Sequence, residues 1–104
     1  MKIEIQDSFN CTDIYIDTEK VSYAVCKKST AVPASVAVDV IQPNQKYFTK
    51  NNVKYFYEWT FYTISGQEIV VIIYNEVYQT KVEQAIKFGA EFSEPVFAII
   101  YKTK

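Results

Sequence analysis

The sequence predicts an α+β domain: an antiparallel-rich or mixed sheet with one helix from the C-terminal half packed on it. Three observations carry that expectation. Short runs of alternating apolar and polar residues, separated by turn formers, mark half-buried strands. Val, Ile, Tyr and Phe are abundant and Leu is absent, a composition that suits pleated surfaces better than helices. One stretch alone, from Asn75 to Gly89, combines helical periodicity with a cap at each end.

Taken in order, Lys2 to Gln6 and Asp13 to Asp17 alternate, with Ile3, Ile5, Ile14 and Ile16 on one side. Lys20 to Lys27 follows after Thr18 and Glu19, so the second and third strands read as a hairpin. A loop over Lys28 to Ala34 leads into Ser35 to Ile41, where Val36, Val38 and Val40 predict a half-buried strand. Asn51 and Asn52 tolerate turn conformations and suggest a tight reversal between Tyr47 to Thr49 and the segment from Val53.

The next strand, Val53 to Thr63, is aromatic on both faces. Val53, Tyr55, Tyr57, Trp59 and Phe61 share one side, assigned to the core, and Lys54, Phe56, Glu58, Thr60 and Tyr62 the other. Ser65 and Gly66 turn the chain into Glu68 to Tyr74, whose continuous apolar run fits a central strand covered on both faces. The helix then spans Glu76 to Phe88. Its apolar stripe is Tyr78, Val82, Ala85 and Ile86, with Gln79, Glu83, Gln84 and Lys87 facing away. Pro95 to Tyr101 is the final strand, and the strand-helix-strand order from Glu68 to Tyr101 allows it to lie parallel to Glu68 to Tyr74 through a right-handed crossover.

At 104 residues the chain has room for one compact domain, residues 1–104, and its aromatic side chains, at roughly 150 to 250 Å² apiece, can fill a core without a metal or disulfide staple. Twelve acidic and eleven basic residues leave a net charge of −1, so general DNA binding is not expected. Every basic residue is Lys, and the bidentate fork of Arg is missing. No apolar run is long enough to span a membrane and the N-terminus lacks a secretory pattern, so the expectation is cytoplasmic. The sequon at Asn10 is accordingly read as chance.

With no His, the usual Ser-His and Cys-His nucleophile pairs cannot be built. Cys11 and Cys26 match no metal-ligand spacing, and Asp7, Asn10, Asp13, Asp17 and Glu19 match no calcium loop and read as solvated carboxylates and amides. No catalytic residue, metal or cofactor is expected. Glu58, set among aromatics, would be the first acid or base if one existed.

The expected function is therefore non-catalytic binding, by an inhibitor or adaptor that contacts a protein partner or a second copy of itself. The candidate binding residues are Lys54, Phe56, Glu58 and Tyr62, with Tyr57 and Trp59 from the opposite face. The alternative is a binder or sequestering protein for a planar, nucleotide-like small molecule in an aromatic-walled pocket. An enzyme using carboxylate or Tyr and Lys chemistry stands third.

Overall fold

A computed structural model describes residues 1–103 and is α+β, with seven strands in two sheets. Strands β1 (Lys2–Asp7) and β2 (Thr12–Asp17) form an antiparallel hairpin, and after a 3-10 turn at Thr18–Lys20 comes β3 (Val21–Ser29). Two short helices follow: α1 (Ala34–Val36), continued by a wider π-type turn over Ala37–Ile41, and α2 (Gln45–Lys50). Then come β4 (Phe56–Thr63), β5 (Glu68–Ile73), helix α3 (Glu76–Phe88), β6 (Val96–Phe97) and β7 (Ile99–Thr103).

The larger sheet has the order β3-β4-β5-β7 and is antiparallel throughout. The smaller has the order β2-β1-β6, with β1 and β6 parallel. Two expectations are corrected here. β2 and β3 do not form a hairpin, since they lie in different sheets. The C-terminal segment is not one strand parallel to β5: it changes sheets at Ala98, pairing first with β1 and then antiparallel with β5. That corner is held by the Ala98 N–H, which donates to the Gln6 carbonyl at 3.0 Å.

Asp7 locks the same corner. It is 1 % exposed, not solvated as its sequence neighbourhood suggests. Its Oδ1 accepts the backbone N–H groups of Phe9 and Asn10, and its Oδ2 accepts Asn10 Nδ2 at 2.8 Å and the Ile100 N–H at 2.9 Å. Four donors around one buried carboxylate satisfy the anion and tie the β1–β2 turn to β7.

The main core lies between the two sheets and α3. Ile3, Ile5 and Ile16 from the smaller sheet meet Trp59, Phe61, Val71 and Val82. Asn75 Oδ1 accepts the N–H groups of Val77 and Tyr78 to cap α3, and Gly89, at φ 67°, ends it in the left-handed conformation that favours Gly. The helix bounds agree with the periodicity. Its buried face is rotated from expectation, however: Gln79 is buried with Val82 and Ala85, while Tyr78 and Ile86 are half-buried.

A second core covers the opposite face of the larger sheet at one end. Val36, Val40 and Phe48 close over Ile72, Tyr74 and Ile99. The strand expected at Ser35 to Ile41 is thus a helix, and so is Tyr47 to Thr49. Val36 and Val40, four residues apart, fall on one side in either conformation, and only Val38, 57 % exposed, separates the two readings. Pro33 presets the entry, and its carbonyl accepts the Ala37 N–H at 3.0 Å. The Asn51-Asn52 reversal forms as expected, with Asn52 at φ 54°.

Candidate functional site

β3 is an edge strand of nine residues. Its inner side pairs with β4 from Val21 opposite Thr63 to Ser29 opposite Phe56, with a bulge at Ser22. Its other side pairs with no strand among the described residues. Every second backbone N–H and C=O therefore faces outward, a template for a further strand. Tyr23 and Val25 are 58 % and 45 % exposed, and Cys26, Lys27 and Lys28 are exposed beside them.

The register gives this edge a defined face. Tyr23 stands beside Tyr62, Val25 beside Thr60 and Lys27 beside Glu58, so the outward residues of β3 and β4 form one surface. The Tyr23 and Tyr62 rings are stacked, with centroids 4.4 Å apart and 20° between planes. Farther across the sheet, Lys102 pairs with Glu68 at 3.2 Å. A stacked Tyr pair flanked by charges of opposite sign results.

The residues singled out in the sequence divide among three places. Glu58 and Tyr62 belong to this surface. Phe56 shares their face but lies at the end covered by α2, with its ring 5.9 Å from that of Phe48. Lys54 precedes β4, in a loop with Tyr55, which is 40 % exposed and not in the core row expected of it. Ile64, expected to mark the core register, is 71 % exposed.

Tyr57 and Trp59 lie beneath α3 and hold it. Trp59 Nε1 donates to Gln79 Oε1 at 2.6 Å, and Gln79 Nε2 donates onward to Cys26 Sγ at 3.6 Å. This chain explains the buried Gln79, since an indole N–H removed from water needs an acceptor. Although Cys26 as a residue is exposed, partial desolvation of its thiol pushes it above its ordinary range, the opposite of what activates a nucleophile. Among the described residues no three His, Cys, Asp or Glu side chains gather as metal ligands.

The Tyr57 hydroxyl donates to Glu76 Oε1 at 2.5 Å. That bond, followed by burial and the Glu76 charge, pushes its pKa from 10.0 up to about 12. Because the folded pKa lies above the unfolded one, this stabilisation is complete below pH 10 and is lost as the pH rises through about 12. Burial shifts Tyr74 in the same direction. Tyr57→Phe is therefore expected to make the alkaline fall in stability shallower without abolishing it. Denaturation midpoints on either side of pH 10 check this, and parallel profiles for the two proteins would contradict it.

β3 itself was not among the sequence candidates. Its signal was present in the long alternating run and the Lys27-Lys28 pair, but the expected hairpin with β2 would have covered one side. Comparison with known proteins adds nothing to this geometry: no family model, no curated protein and no solved structure matches the chain. Among the described residues no helix is long and apolar enough to cross a membrane.

Proposed function

We propose that the protein is a non-catalytic binding module, an inhibitor or adaptor, that takes an extended segment of a partner protein as an added strand along β3. The observation that carries this reading is the open nine-residue edge of β3 with Tyr23 and Val25 exposed on it. Strand addition draws affinity from main-chain hydrogen bonds and specificity from the side chains beside them. The Tyr23–Tyr62 stack offers an apolar landing surface already held in place, so little side-chain entropy is lost on contact. Lys27 and Lys28, against Glu58 alone beside them, favour a carboxylate-bearing segment, and with the bulge at Ser22 they discourage indiscriminate pairing with uncharged strands.

Site-specific photo-crosslinking in the host tests the reading. A photoreactive side chain at Tyr23 or Val25 should capture an acidic, extended segment of another protein, and the same group at Phe88, 79 % exposed on α3, should not. The double substitution Val25→Glu with Lys27→Glu should reduce the yield about tenfold or more, with thermal stability unchanged. Capture of this chain's own β3 would make the partner a second copy. Equal capture from Phe88 would sink the proposal.

A further inference from the structure

A separate cleft opens between the turn that follows α2 and the start of α3, with a volume of about 370 Å³. That is within the range of about 300 to 1,000 Å³ typical of small-ligand sites. Its lining differs in kind from the β3 surface. Tyr47 and Tyr55 expose 44 % and 40 % of their surface, and Tyr74 is buried beside them. Tyr47 meets the rings of Phe48 and Tyr74 edge-on, at centroid distances of 5.4 and 6.0 Å, so this wall is fixed by the second core. The exposed Tyr47 ring, held in this way, suits a planar group.

The charges point to an anion. Lys54 lines the cleft and is exposed, and it belongs to none of the three ion pairs among the described residues. Lys28 is not part of the lining, but it holds a second ammonium over one face of the neighbouring Tyr55 ring, 4.1 Å from its centroid. Against these two stands Glu76, whose carboxylate already accepts the Tyr57 hydroxyl. Asn51 and Asn52 also line the cleft, and the Asn51 Nδ2 donates to the Tyr47 carbonyl at 2.8 Å, which leaves its Oδ1 to accept. A side-chain amide presents a donor and an acceptor together, as the edge of a heterocyclic base requires.

We infer that this cleft binds a planar heteroaromatic ligand carrying an anionic group, of the size of a nucleoside monophosphate. The ring stacks on Tyr47, its edge meets the Asn51 and Asn52 amides, and its phosphate lies toward Lys54 and the Lys28 ammonium that Tyr55 seats. Lys contributes here as a compact charge, which suffices for a phosphate without the fork of Arg. The site meets the β3 surface only at Lys28 and uses neither Tyr23, Val25 nor Lys27.

The test is a titration of the whole chain with AMP, UMP, adenosine and inorganic phosphate, followed by backbone amide NMR. Either nucleotide should shift Asn52, Lys54 and Tyr55 saturably, with half-saturation at or below about 1 mM. Adenosine and inorganic phosphate should each bind about tenfold more weakly or worse, since each supplies half of the recognition. Lys54→Glu and Tyr55→Ala should each weaken nucleotide binding about tenfold. Both residues are exposed, so the thermal midpoint should hold and a loss of binding cannot be blamed on unfolding. Shifts that do not saturate, or nucleotide affinity indifferent to both substitutions, would overturn the inference. Adenosine binding as tightly as AMP would overturn it as well.

Discussion

Asp7→Ala is expected to cost the fold about 3 to 5 kcal/mol, because one buried carboxylate accepts four hydrogen bonds. Phe9 and Asn10 stand near solvent, and water can replace part of what their N–H groups lose. The Ile100 N–H is different. It joins β1 to β7 across the sheet corner, 93 residues apart in the chain, so its loss unties two elements and not only a turn. Asp7→Asn should lose less, because its oxygen can keep the two turn bonds, but its NH₂ then faces the donors of Ile100 and Asn10. Asp13→Ala, an exposed position in β2, should stay within about 0.5 kcal/mol of the parent. Urea denaturation with a common slope checks the order Ala, Asn, parent, and Asp7→Ala behaving like Asp13→Ala would show that the corner does not depend on the carboxylate.

Phe61→Ala is expected to be comparably damaging, at about 3 to 5 kcal/mol. The ring is fully buried, stacked at 7° and 5.6 Å on Trp59, and belongs to the core that joins both sheets to α3. Truncation removes the transfer free energy of the ring and leaves a cavity whose walls come from three different elements, so it cannot readily collapse. Phe88→Ala, a change of the same chemistry at a residue 79 % exposed, should have almost no effect. A domain of this size has a net stability of about 5 to 15 kcal/mol, so Phe61→Ala should show a clearly lowered melting temperature. Equal midpoints for the two variants would mean that the assigned inner face of β4 is wrong.

Several elements were legible residue by residue. The period of two along Tyr57, Trp59 and Phe61 places them on one face, and they are buried together. The Asn75 and Gly89 signals bound α3 where the structure does. The unbroken apolar run in β5 reads as a strand covered on both faces, and Val70 and Ile72 on one side and Val71 and Ile73 on the other are buried. Each of these signals acts within a few residues: a cap satisfies its own helix end, and the pleat alone sets alternation.

Other features depend on contacts the local pattern does not contain. Phe56 and Tyr62 share a face of β4, yet Phe56 meets α2 and Tyr62 meets Tyr23, because the helices of the second core cover only one end of the sheet. Gln79 looks like a solvent residue until Trp59 supplies a buried donor.

From the sequence alone came the α+β class, most strand positions, the helix and its caps, and the absence of His and Arg. The tertiary structure decided that Val36 and Val40 lie on a helix, that the chain changes sheets at Ala98, and that β3 is an edge with its outer side open. The physical reason is range. Propensity, caps and periodicity express energies between near neighbours, whereas helix against strand at an ambiguous spacing, and edge against centre for a strand, are settled by which distant surfaces remain to be covered.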